Sequence, residues 1–200
     1  MPTKMKRNSK KIKNENMLLV FGVILLILCF IFDKYIFAAV QSLKNPFFDI
    51  IFNWATAFPT VFAIMLFVTS LFMYENRKRK WILPLWLSFF AANILSYLLK
   101  FILRIPRPEG IQMIIPILHL IDYSFPSSHA ASAFSTVPIL DREYKALKWF
   151  WVLFALTVAV SRVYAGVHLP SDVVGGALLG YFVGVIFVRM NERIPKKNRR

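Results

Sequence analysis

Two hundred residues leave room for one domain, and 58% of them are apolar, with 20 phenylalanines and a mean hydropathy of +0.56. Only 18% are charged, so the apolar surface cannot all be hidden in a soluble core and the chain belongs in lipid. The formal charge of +15 would suit a nucleic-acid binder, but the cations lie at the chain ends and between apolar runs, a pattern of membrane topology that excludes nucleic acid as a partner. Cys29 is the single cysteine, so no disulfide forms within the chain.

In chain order, a basic tail (1–16) leads into six apolar runs within residues 17–190, and a second basic tail (191–200) follows. An apolar run of about 20 residues spans the hydrocarbon core. The runs are Met17–Val40, Trp54–Tyr74, Trp81–Leu99, Ser127–Leu140, Trp149–Tyr164 and Leu169–Val188. The predicted fold is therefore all-α, a polytopic bundle of six transmembrane helices. Asp33-Lys34 brings the last turns of the first run to the interface. That run has the flanks of a signal peptide, but no convincing small-x-small cleavage site follows, so it is read as a retained helix. The fourth run is short and is expected to begin or end irregularly. Trp54, Trp81, Trp149 and Trp151 sit near run ends, as interfacial aromatics do. Gly176, Gly180 and Gly184 recur at four-residue spacing on the sixth run, which predicts close helix packing inside the bundle.

Six spans put both termini on one side. The two tails together with Arg189, the Arg77–Lys80 loop and the 142–148 loop hold nineteen of the 25 basic residues, which assigns that side to the cytoplasm of a multi-pass cell-membrane protein. Lys34, Lys44, Lys100, Arg104, Arg107 and Arg162 fall on the other side, where topology does not explain them.

Three outer stretches carry the unusual polar residues: "KFILRIPRP" (100–108), "FPSSHAAS" (125–132) and "SRVYAGVHLPSD" (161–172). In a six-helix bundle the outer ends of runs three to six can sit side by side, so these residues can converge. Several cations facing one pocket call for an anion, and guanidinium forks match phosphate in bidentate geometry. Ser127 and Ser128 stand where a helix should start after Pro126, and free N–H groups there cradle phosphate oxygens. Two histidines supply a nucleophile and an acid for phosphoryl transfer. His168 and Asp172 are four apart, close enough for the carboxylate to hold one ring nitrogen and leave the other free.

These residues resemble the signature of the type 2 phosphatidic acid phosphatase (PAP2) superfamily: K-x6-R-P, P-S-G-H and S-R-x5-H-x3-D. Here the three motifs read Lys100 to Arg107-Pro108, Pro126-Ser127-Ser128-His129, and Ser161-Arg162 to His168 to Asp172. The usual glycine of the second motif is Ser128, which keeps the N–H donor, adds a hydroxyl and bears on substrate preference or rate. The resemblance implies a membrane lipid phosphate or diphosphate phosphatase, with residues 17–190 as a PAP2-like catalytic domain. His168 would form a phosphohistidine oriented by Asp172, and His129 would protonate the departing alcohol and then activate water. Lys100, Arg107, Arg162, Ser127 and Ser128 would hold the phosphoryl oxygens. No metal or other cofactor is implied. The active site would be extracytoplasmic and the partners are the lipid phosphate and the surrounding lipids; the residues set no oligomeric state.

Each residue also has a plainer reading. Arg104 lies outside the motifs and is either a snorkelling anchor or a helper for a second phosphate. Ser127 can be an N-cap, and Asp172 can cap the sixth helix. His119 is expected to be a loop or interface residue, and Glu109, Gln112 and Asp122 to be solvated loop residues. An anion or lipid transporter with a cationic mouth is the alternative, but it calls for polar or broken spans through the bilayer. A membrane scaffold with basic tails leaves both histidines idle. Polyprenyl diphosphate is slightly favoured as substrate over phosphatidylglycerophosphate and phosphatidic acid, because Arg104 adds a cation beside the site.

Overall fold

The computed structural model describes residues 2–53, 58–75, 78–108, 113–115, 120–144 and 148–193. Seven α-helices account for nearly all of them: α1 (Pro2–Ser42), α2 (Pro46–Asn53), α3 (Phe58–Glu75), α4 (Ile82–Leu103), α5 (Ser128–Glu143), α6 (Lys148–Tyr164) and α7 (Pro170–Arg193). A 3-10 turn at Arg79–Trp81 leads into α4. The two-residue strands β1 (Ile114–Ile115) and β2 (Leu120–Ile121) pair antiparallel between α4 and α5, with Ile114 opposite Ile121.

Every apolar run contains a helix. The stretches Met17–Ser42, Arg79–Leu103 and Pro170–Arg193 are long and apolar enough to cross a membrane, and Phe62–Glu75 and Trp149–Tyr164 are shorter apolar helices. The basic stretch before Met17 continues α1 as helix. The 41–53 connection holds an unexpected helix, α2, whose start is chemically marked. Asn45 caps it by accepting the N–H groups of Phe47 and Phe48 at 3.0 and 3.1 Å, and Pro46 occupies the first turn, where no N–H is needed.

α5 is the centre of the bundle, packed most extensively on α7 and also on α4 and α6. The short fourth run is thus an unbroken helix of 16 residues with Pro138 inside it. It reads as weakly apolar because other helices cover it, so small Ser and Ala residues suit it better than lipid-facing Leu and Phe. A Cβ at Gly176, Gly180 or Gly184 would run into the carbonyl oxygen of Ser127, Ala131 or Ser135, so the glycine stripe is where α7 meets the α5 backbone. Trp81 and Trp151 are buried in the core cluster with Phe62, Leu66 and Leu140, whereas Trp149 is exposed. Trp54 lies outside the described residues. A second cluster of Phe37, Ala130, Ala159, Val163 and Val173 sits near the other end of α5. Large apolar side chains along α1, α3 and α4 are exposed, as a lipid-facing surface requires.

Candidate active site

α4 delivers Lys100 from its last turn, where the side chain is 1% exposed. Arg104 ends the helix in the left-handed region (φ 51°, ψ 36°), its N–H donating to the Lys100 carbonyl at 2.9 Å. The chain then leads to Arg107, which is also buried. Both cations meet one carboxylate. Lys100 Nζ lies 2.6 Å from Asp122 Oδ1, and an Arg107 terminal nitrogen lies 2.7 Å from Asp122 Oδ2. Lys100 also donates to the Tyr123 carbonyl at 2.7 Å, and Arg107 Nε to the Asp122 carbonyl at 2.8 Å.

Asp122 therefore corrects the expectation of a solvated loop acid. Two buried cations cannot remain without a counter-charge, and this carboxylate supplies it. The β1–β2 pair delivers Asp122 to its place, with the Asp122 N–H donating to the Met113 carbonyl at 2.7 Å. No motif spacing in the sequence marked this residue.

The second stretch forms the start of α5. Ser127 is the extended N-cap residue (φ −68°, ψ 115°), and its N–H donates to the Asp172 carbonyl at 3.0 Å. Its hydroxyl makes no capping bond; it is buried and has no hydrogen-bond partner among the described residues. Ser128 opens the helix and is buried. His129 is half-buried on the same turn, within the field of Arg162, His168, Lys100 and Arg107.

The third stretch joins α6 to α7. Arg162 is buried in the last turn of α6, Gly166 (φ 80°) reverses the chain, and His168 is 2% exposed just before α7. Asp172 sits buried in the first turn of α7, where its Oδ2 accepts the Leu169 N–H at 2.7 Å and the Ser124 hydroxyl at 2.5 Å. The same oxygen is 3.3 Å from His168 Nδ1. The other ring nitrogen, Nε2, lies 3.3 Å from an Arg107 terminal nitrogen. Arginine can only donate, so both contacts are hydrogen bonds when the proton is on Nδ1 and Nε2 carries the lone pair. Burial first, then the charges of Arg107, Lys100 and Arg162, push the His168 pKa well below the ordinary 6.5, against the opposing pull of Asp122. His168 is a neutral imidazole at neutral pH.

Lys100, Arg107, Ser127, Arg162, His168 and Asp172 thus come together in one buried group with Ser128 and His129 at its edge. Arg104 stands apart: its side chain is exposed, its Nε donates to the Phe101 carbonyl at 3.2 Å, and no side-chain bond joins it to the group among the described residues. Ser124 joins the group although no motif contains it, and its N–H is pinned to the Ile105 carbonyl at 2.8 Å. Glu109, Gln112 and His119 lie outside the described residues. A lone pair on a neutral imidazole, a carboxylate behind it, three cations around it and a helix N-terminus beside it suit attack on a phosphoryl group.

The model of the PAP2 superfamily matches residues 81–196, more than half of the chain. The chain belongs to the PAP2 superfamily. This PAP2 chain is 30% identical over 164 residues to undecaprenyl-diphosphatase BcrC of Bacillus subtilis, covering 78% of this chain and 83% of that one. The crystal structure of a transmembrane PAP2-type phosphatidylglycerolphosphate phosphatase from Bacillus subtilis has the same fold, with a TM-score of 0.71 at 24% identity over 91% of this chain and 98% of that one. LpxE from Aquifex aeolicus aligns with a TM-score of 0.65 at 30% identity, covering 78% and 94%. α1, α2 and α3 lie ahead of the matched segment.

Proposed function

We propose that the protein is an integral-membrane phosphatase that removes the terminal phosphate of a polyprenyl diphosphate through a phosphohistidine. The observation that carries this reading is the geometry of the buried His168 ring, with Nδ1 3.3 Å from Asp172 Oδ2 and Nε2 on the side where Arg107 lies. His168 Nε2 attacks the terminal phosphorus while the lipid phosphate leaves and takes a proton from His129. His129 then removes a proton from water, whose oxygen attacks the phosphohistidine, releasing inorganic phosphate and freeing His168. Lys100, Arg107, Arg162 and the N–H groups at the start of α5 stabilise the charge of both transition states. The step uses no metal.

The named activity of the Bacillus subtilis relative supports a polyprenyl diphosphate ahead of phosphatidylglycerophosphate and phosphatidic acid, which present a similar phosphoryl group. The reading also takes residues 17–190 as the catalytic domain, crossing the membrane six times with both termini cytoplasmic and the histidines outside, as the distribution of basic residues supports.

The test is phosphate release by purified protein from the three lipids side by side, in excess chelator. Undecaprenyl diphosphate should be turned over fastest, and His168→Ala should abolish both turnover and acid-labile labelling of the protein. His129→Ala should lose roughly 10²–10⁴ in rate on the alkyl lipid and less on an aryl phosphate with a good leaving group. Activity lost to chelator and restored by magnesium, or label still trapped by His168→Ala, refutes the mechanism.

A further inference from the structure

Within α7 the first-turn acid Asp172 caps only the Leu169 N–H, which leaves the next donors to find partners elsewhere. The N-cap residue of α7, Leu169, has no side-chain acceptor, and Pro170 has no N–H, so the first donor in need of a partner is Ser171. That partner comes from 138 residues away. Asp33 on α1 accepts the Ser171 N–H at 2.9 Å through Oδ1 and the Ser171 hydroxyl at 2.5 Å through Oδ2. Asp33 is 7% exposed in the apolar part of α1, beside Lys34, a costly place for a carboxylate unless it is bonded. Further along α1, Gln41 Nε2 donates to the carbonyls of Val163 and Tyr164 at 2.7 and 3.4 Å, the last two of α6.

We propose that α1 is a positioning element for the site, gripping the end of α6 through Gln41 and the start of α7 through Asp33. The segment between the two grips carries His168. Ser171 adjoins Asp172, whose carboxylate faces His168 and whose carbonyl accepts the Ser127 N–H, so a shift in the first turn of α7 moves the histidine's partner and the start of α5 together. α1 lies outside the segment matched by the family, yet it fixes the geometry inside it. The catalytic part of this inference rests on the phosphatase reading; the structural part does not.

The experiment uses the full chain in detergent, as Asp33→Ala, Asp33→Asn and Gln41→Leu, with undecaprenyl diphosphate as substrate and rates taken per folded molecule. A merely structural role lowers the folded fraction; a positioning role lowers kcat and leaves KM within about twofold. Asp33→Ala should lose about 10²-fold in kcat, and Gln41→Leu about tenfold, because a small misplacement of reacting groups is enough. Asp33→Asn keeps one acceptor oxygen and should fall between wild type and Asp33→Ala; it and Gln41→Leu carry the test if Asp33→Ala does not fold. Amide hydrogen exchange over residues 165–173 should quicken in the variants while the rest of the chain is unchanged. Wild-type kcat with wild-type exchange overturns the inference. If wild type itself hydrolyses none of the lipids, the phosphatase reading fails, and the exchange measurement alone decides whether α1 holds the segment.

Discussion

Replacing Asp122 by asparagine removes one charge from between two buried cations. The carboxylate oxygens stand 2.6 Å from Lys100 Nζ and 2.7 Å from the Arg107 guanidinium. At an effective dielectric near 20, each pair attracts by about 6 kcal/mol before desolvation is set against it. Breaking a buried pair by removing one partner costs about 3–5 kcal/mol net. The Asp122 side chain is 15% exposed, against 1% and 3% for its partners, so water offsets part of the loss and about 3 kcal/mol is expected. For a chain of this length that lowers the thermal midpoint by about 6–12 °C, read by a thermal-shift assay in detergent. Orthovanadate or phosphate brings its own negative charge to Lys100 and Arg107, so it should restore more of the midpoint in Asp122→Asn than it adds to wild type. A midpoint within about 2 °C of wild type, with equal ligand shifts in both proteins, would refute the assignment of Asp122 as their counter-charge.

His168 should set an acid limb of kcat/KM only well below pH 6.5, because its pKa in the folded chain is depressed. The unfolded chain takes up a proton on this ring near 6.5 and the folded chain does not, so stability should also fall as pH drops below 6.5; chemical denaturation across that range checks the sign. Gly180→Ala pushes a Cβ into the Ala131 carbonyl and should cost about 1–3 kcal/mol despite the better helix propensity of alanine, whereas Gly22→Ala meets only the movable end of Leu178 and should cost less by the same thermal assay. Cysteines at Lys34 and Arg79 in a Cys29→Ala chain should label oppositely with an impermeant reagent in intact cells, Lys34 from outside and Arg79 not; the reverse pattern contradicts the proposed topology.

Hydrophobic run length located α1, α3, α4, α6 and α7, because a helix facing lipid must be apolar along its exposed side. It underrated α5, whose surroundings are protein, and it passed over α2, only eight residues long. The burial of Trp81 and Trp151 was hidden for the same reason: position near the end of a run does not reveal whether a neighbouring helix covers the ring. In the site, local spacing was informative where the partners are near in sequence, as with His168 and Asp172. Asp122, Ser124 and Asp33 were not legible as partners because each finds its mate through tertiary packing across 15 to 138 residues. A buried cation or an uncapped donor at a helix start announces that a partner is needed, but not which residue supplies it.

Arg104 falls among the six unspecified positions between Lys100 and Arg107, where a consensus records only a count. Its φ of 51° gives that count a shape. The left-handed residue lets α4 stop at Leu103, three residues after Lys100, so that the chain can bring Arg107 to the carboxylate that Lys100 already holds. An L-residue spends about 1–2 kcal/mol to sit there, glycine or asparagine less, and a β-branched residue considerably more. Tolerance across the spacer should therefore be uneven, with one position screened by backbone conformation and its neighbours by contact with lipid. A pattern written as K-x6-R-P conceals a stereochemical letter in its fourth blank.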